Sequence, residues 1–341
     1  MGLFDSLTGL LATFLGAGAA IAVVGTWLTR LADRVAAATG IGQALTGAVL
    51  LGATTSLGGV VTSVSTAHQG LTDLAISNAV GGIAVQTAFL AVADVIYRRA
   101  NLEHAAASIE NLLQGSLLIA LLSLPLVAWA VPGLTAFGVS LFSPLMLLLY
   151  LFATRMVARV RDDPMWLPRR TRETQAETRG PEAGARGGAG LYLGFGLAAL
   201  LSGLAGYLLG QSGGVLAAQT GLSQSAVGGV MTSVMTSVPE LVTTIVAVRR
   251  GALTLAVGGI IGGNAFDVMF LVLSDVAYRE GSIYAVMQPV HLLALAASIL
   301  MSAILLMGLI ARERQGPGRI GFESVLILAT YAGTAYFLTT T

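Results

Sequence analysis

The chain contains no cysteine and no lysine. The first absence removes disulfide frameworks, thiolate metal ligands and thiol nucleophiles. The second makes all 18 basic residues arginine, and 17 acids balance them to a formal net charge of +1, leaving no electrostatic footprint for nucleic acid. Charge of either sign is scarce, at 10% of 341 residues against 55% hydrophobic. A mean hydropathy of +0.82 excludes an ordinary soluble domain and makes the chain an integral membrane protein whose first partner is the lipid bilayer. The opening MGLFDSLTGLLATFLGAGAA lacks the basic stretch of a cleavable signal, so it is expected to run directly into a first span.

A helix needs about 20 mainly apolar residues to cross the hydrocarbon, because its backbone must satisfy its own hydrogen bonds there. Ten segments qualify, near 8–29, 42–67, 72–97, 111–130, 133–154, 190–210, 223–248, 253–278, 290–311 and 321–339. Alternating turns then place every arginine except Arg279 on one side of the membrane. The positive-inside rule makes that side cytoplasmic and puts both termini outside, as expected for a bacterial or archaeal inner (plasma) membrane. The polar stretch 155–189 reads as a mobile cytoplasmic linker with an interfacial contact at Trp166, between five spans in 1–154 and five in 190–341. Trp27 and Trp129 read as belt residues at the membrane surface.

A shift of 181 residues aligns the halves without a gap from about Leu10 to Arg98. GIGQALTG (40–47) meets GLSQSAVG (221–228), TSLGGVVTS (55–63) meets TSVPELVTT (236–244), and VGGIAVQTAFLAVADVIYR (80–98) meets IGGNAFDVMFLVLSDVAYR (261–279). An odd number of spans per copy forces the second to cross in the opposite sense. The expected fold is an all-α polytopic membrane protein of ten transmembrane helices, arranged as two inverted-topology five-helix repeats, an architecture of secondary transporters. Glycines and Pro239 in the second and third helices of each half predict local breaks that expose backbone carbonyls at the midplane.

Two acids fall near span centres, Glu240 in the seventh and Asp267 in the eighth. An unneutralised carboxylate at that depth costs about 2.5–3.5 kcal/mol on insertion scales, so ion handling is the default reading and acids that merely join helices the alternative. Thr236 and Ser237 precede Glu240 on the same helical face, and Thr55 and Ser56 are their counterparts; such hydroxyls either ligate ions or bond to backbone. Gln86 is the counterpart of Asp267, and Gly59 that of Glu240, so the first half offers an amide oxygen and, at Gly58-Gly59, bare backbone and room. Asn264 either orients a ligand or pins a broken helix. Asp94 and Asp275 each stand four residues before an arginine (Arg98, Arg279), the spacing of an ion pair at a helix end. Asp73 and His68 read as solvated residues of an outer turn, and His291 and Glu323 as interfacial.

These residues resemble the sodium/calcium exchanger family of the calcium/cation antiporter superfamily, with its paired alpha repeats. MTSVPE (235–240) and GGNAFD (262–267) are close to its GTSLPE-type and GSNIFN/D-type motifs; ATTSLGG (53–59) and GGIAVQ (81–86) keep the frame without the acids. The resemblance implies a transporter rather than an enzyme, without cofactor, carrying small inorganic cations: Ca²⁺ exchanged against Na⁺ or H⁺. It implies that Glu240 and Asp267 are the metal ligands, with Thr236, Ser237, Thr55, Ser56 and Gln86 supplying further oxygens. Two carboxylates balance one Ca²⁺ or two monovalent cations, whereas three Na⁺ would leave the site positive. Na⁺/H⁺ or other monovalent exchange, passage of a larger solute, and a non-transporting scaffold are the alternatives.

Overall fold

The computed structural model describes residues 6–39, 52–97, 99–169, 171–174, 188–316 and 320–340. Eight helices are long and apolar enough to cross a membrane, and a ninth span is a bent pair, Gln224–Thr236 with Val238–Arg249, angled at 43°. The expected second span, 42–67, is described from Gly52 onward; its first part, and the whole of the GIGQALTG motif, lie outside the described residues.

In chain order the helices are α1 (Leu7–Thr39), α2 (Leu57–His68, preceded by a helical turn at 52–55), α3 (Thr72–Tyr97), the short α4 (Leu102–Ala106), α5 (Ile109–Ala130) and α6 (Phe142–Asp162). The second half holds α7 (Ala189–Thr220), α8 (Gln224–Thr236), α9 (Val238–Arg249), α10 (Leu253–Ala277), α11 (Pro289–Ala311) and α12 (Phe322–Thr340). Local chemistry sets several ends. The Ser108 and Ser223 hydroxyls accept the backbone N–H groups of Asn111 and Ala226, Pro289 opens α11, and Gly221 closes α7 at φ +74°. One departure from an all-helical chain is a small hairpin before α6, pairing Thr135–Ala136 with Val139–Ser140. Its turn residues Phe137 and Gly138 both take positive φ, as a two-residue turn of this kind demands.

The core gathers α3 and α10, whose spans are far more buried than the rest, with α2, α5, α8, α9 and α11 around them. Partners cross between the repeats: α6 packs on α10, and α12 on α3. The pair α1 and α7 forms its own packing units, Leu10, Phe14 and Ile21 against Leu209 and Leu216, and Leu28 and Leu31 against Ala198, separate from the main core. That pair meets the core through glycines. A Cβ on Gly206 would lie 2.3 Å from the Gly58 carbonyl oxygen, and one on Gly25 would lie 2.8 Å from the Pro239 ring. Small residues of this kind let helix backbones approach closely where lipid supplies no hydrophobic drive to pack.

Two expectations need correction. The third helix of each half does not break: α3 and α10 run continuously for 26 and 25 residues. Their glycines serve close packing instead, since a Cβ on Gly81 would lie 2.3 Å from the Gly229 carbonyl oxygen. Nor does Asp275 pair with Arg279: it is fully buried and spends its oxygens on other donors. Arg98, the partner expected for Asp94, lies outside the described residues. Asp94 accepts from the Leu102 and Gly321 N–H groups at 2.7 and 3.0 Å and from the Ser324 hydroxyl at 3.0 Å. Asp275 accepts from the Ile283 and Ser140 N–H groups at 2.8 Å each and from the Ser143 hydroxyl at 2.7 Å. These donors correspond pair by pair under the 181-residue shift. Each aspartate thus ties the short helical segment before its own repeat's fourth span to the start of the other repeat's fifth.

Candidate functional site

Both second helices break at equivalent serines. Ser56 stands between the turn 52–55 and α2 with φ −92° and ψ 6°, and Ser237 between α8 and α9 with φ −97° and ψ 1°. Pro239 explains the second break, because it has no N–H to give the Met235 carbonyl and its ring crowds that oxygen. The first copy breaks alike with glycines in place of proline. Glu240 sits in the first turn of α9, and the helix dipole there favours a negative charge.

The breaks bring together the residues that the sequence singled out. Glu240, Asp267, Gln86, Ser56, Ser237, Thr55, Thr236 and Asn264 are all buried. Ser56 donates to Glu240 Oε1 at 3.2 Å and lines the same narrow space as Asp267. Thr55 and Thr236 donate their hydroxyl protons to the Gly52 and Ser233 carbonyls at 3.1 Å each. Asn264 donates to the Thr87 hydroxyl on α3 at 2.9 Å, tying α10 to α3 across a gap the sequence did not predict. Ser56, Gly59, Gly82, Gln86, Thr236, Ser237, Asp267 and Phe270 line a narrow space with no room for a free water molecule.

Gln86 behaves differently from its expected role as an oxygen ligand. Its Nε2 donates to Asp267 Oδ2 at 2.6 Å and approaches the Ser237 hydroxyl at 3.3 Å. The carboxylate demands a donor, so the amide turns its nitrogen inward. Gly58 and Gly59 also differ from expectation. The Gly58 carbonyl accepts from the Thr62 hydroxyl at 2.8 Å and that of Gly59 from Asn78 at 3.4 Å. The room beside Gly59 is filled, since a Cβ there would lie 2.7 Å from the Phe270 ring.

What remains unmet is acceptor oxygen. Glu240 Oε2, Asp267 Oδ1, Gln86 Oε1 and Asn264 Oδ1 are buried without a hydrogen-bond partner. Buried polar atoms are nearly always paired, and four acceptors without donors are what a hard cation would satisfy. Among the described residues, no three His, Asp or Glu side chains gather closely enough to hold a metal by themselves, so a bound ion would lean on neutral oxygens.

Elsewhere the structure revises several smaller readings. His291 is buried, its Nδ1 accepting the Gln288 N–H at 2.9 Å and its Nε2 lying 3.3 Å from the Ser225 hydroxyl and 3.8 Å from Asp73. Glu323 is buried rather than interfacial, against Glu103, a residue that the sequence did not flag. Part of the linker is docked: Arg312 donates to the Thr174 hydroxyl at 3.1 Å, and Arg314 pairs with Glu173 at 2.6 Å. Trp27, Trp129 and Trp166 are exposed.

No relative among curated proteins matches the sequence. Solved structures match its fold. The H⁺/Ca²⁺ exchanger CAX superposes with a TM-score of 0.68 at 12% identity, covering 96% of this chain and 84% of the other. YfkE gives 0.65 at 16% identity over 96% and 92%, and the sodium-calcium exchanger NCX_Mj gives 0.57 at 19% over 96% and 98%. The sequence model for sodium/calcium exchanger proteins matches residues 9–158 and 190–340, so the chain belongs to the sodium/calcium exchanger family.

Proposed function

We propose that the protein is a secondary cation antiporter in which Glu240 and Asp267 hold each cargo in turn, with Ca²⁺ exchanged against Na⁺ or H⁺. The observation that carries this reading is that two buried carboxylates lie about Ser56, which bonds Glu240 and lines one space with Asp267 and Gln86, and that each carboxylate and the Gln86 amide keeps an oxygen without a hydrogen-bond partner. One Ca²⁺ or two monovalent cations, protons included, neutralise the pair; both cannot occupy it together, and that exclusion couples the fluxes. Thr55, Ser56, Thr236 and Ser237 contribute neutral oxygens to reach the roughly six to eight that Ca²⁺ prefers.

Gln86 acts as a built-in stand-in for the ion. With the site empty its N–H neutralises part of the Asp267 charge; with a cation bound, the amide turns to present Oε1. Alternating access follows from the packing. The α1–α7 pair, joined to the core by glycine contacts, slides across it and opens the site to one side at a time. The arginine-rich face is cytoplasmic and both termini are outside, with residues 1–154 and 190–341 as the two repeats.

The filled space beside Gly59 disfavours a larger solute as cargo. Radiolabelled Ca²⁺ uptake into proteoliposomes under an imposed Na⁺ or pH gradient tests the reading. Uptake that disappears in Glu240→Gln supports it; monovalent flux indifferent to Ca²⁺ replaces Ca²⁺ with a monovalent cargo, and no flux under any gradient leaves a scaffold.

A further inference from the structure

At the arginine-bearing ends of α3 and α9 lies a cavity of about 320 Å³, lined by Ile96, Tyr97, Arg99, Val248, Arg249 and Arg250. Its composition is two-sided. Ile96, Val248 and the Tyr97 ring form an apolar wall, while three exposed guanidinium groups form the rim. Among the described residues, none of these arginines has an acidic partner. The acid that bears on this corner, Glu173, is committed to Arg314 at 2.6 Å. The chain reverses here through Gly251 at φ +79°, which holds Arg249 and Arg250 beside the end of α3.

Three arginines around one opening repel a cation, so this is not the mouth of the cation path. Guanidinium groups bind phosphate oxygens in a bidentate fork, and basic pockets between spanning helices at the membrane surface suit lipid headgroups. The apolar wall continues from the ends of two spanning helices, where an acyl chain would lie. We propose that this cavity is a binding site for the phosphate headgroup of an anionic phospholipid, taken from the leaflet on the arginine-bearing face. A bound lipid would bridge the ends of α3 and α9, the helices that carry Gln86 and Glu240, and so bias their relative placement. Binding itself does not depend on the transport reading.

The test uses the full chain in detergent with labelled phosphatidylglycerol, phosphatidylcholine as the neutral comparison, and inorganic phosphate as competitor. Each arginine near a membrane surface contributes about fivefold in anionic-lipid affinity, so Arg99→Gln/Arg249→Gln/Arg250→Gln should weaken phosphatidylglycerol binding by about a hundredfold. Arg155→Gln/Arg159→Gln, which removes exposed arginines of the same face from α6, should leave it unchanged. Equal loss in the two variants, equal binding of phosphatidylcholine, or unchanged binding in a triple variant of normal thermal stability would overturn the proposal. Saturation by inorganic phosphate in preference to the lipid would overturn the lipid source. If the triple variant does not fold, the single variants Arg249→Gln and Arg250→Gln must each weaken binding, and unchanged affinity in both would count against the site.

Discussion

The Gln86 amide and the Asp267 carboxylate, one repeat period of 181 residues apart, meet at 2.6 Å. Equivalent positions of the two copies therefore face each other across the site, and the chemistry has diverged at that contact: one copy kept an acid and the other carries a hydrogen-bond donor. In the exchange proposed above, a cation that takes both Asp267 oxygens displaces this bond.

Replacing Gln86 by Ala is therefore expected to depend on the ion. Without cation, Asp267 Oδ2 loses a charge-assisted bond of about 1.5–3 kcal/mol, and stability falls accordingly. At saturating cation the ion has already taken the place of the amide, so the loss should shrink. Thermal unfolding with and without Ca²⁺ or Na⁺ reads the difference, and equal destabilisation in both conditions would contradict the stand-in role.

The contact of α7 with α2 predicts a contrast between two glycines one turn apart on α7. A Cβ on Gly206 would lie 2.3 Å from the Gly58 backbone, whereas one on Gly203 would meet Val61 at an ordinary 3.7 Å. Gly206→Ala should cost about 1–3 kcal/mol by overpacking and impair exchange, while Gly203→Ala should be close to neutral. Similar flux and stability in the two variants would show that the close approach has no role.

The twin aspartates Asp94 and Asp275 predict matched effects at the two ends of the molecule. Asp94→Asn and Asp275→Asn each weaken several charge-assisted bonds to the starts of other helices, so each should lower stability by about 1.5–3 kcal/mol. Arg279→Gln should stay within about 0.5 kcal/mol, because no ion pair is lost. Denaturation midpoints decide; a large effect at Arg279 would restore the helix-end pair.

The symmetry of these ties is broken on one side, where Glu103 is buried beside Glu323. Burial pushes the Glu103 carboxyl well above its ordinary range, reinforced by the charges of Glu323 and Asp94. The folded state thus holds its proton more tightly than the unfolded chain does. Stability from this group is intact below the ordinary glutamate value, near about 4.3, and declines as pH rises above it. Glu103→Gln should flatten that decline in unfolding midpoints measured across neutral pH. An unchanged slope would rule out Glu103 as its source.

The ten-span frame and both acids were legible because a gene-scale repeat keeps its register and because carboxylates stand out in an apolar helix. Three features were not. The room expected at Gly59 is filled by Phe270, which arrives from α10, and no local spacing reveals which ring crosses a helix interface. The donors to Asp94 at Gly321 and Ser324 are more than 220 residues away, so its nearby arginine offered the only visible partner. Glu103 lies in a short connection between spans, where no apolar helix makes a carboxylate stand out, and is buried near Glu323 at the start of α12.

The most direct test of the ion site is the density of a bound cation in crystals of the wild-type chain soaked with Ca²⁺. A single peak within about 2.3–2.6 Å of carboxylate oxygens from both Glu240 and Asp267, with Gln86 presenting Oε1 toward it, is the result expected. Ca²⁺ bound elsewhere, or Gln86 still donating to Asp267 at saturating Ca²⁺, would contradict it.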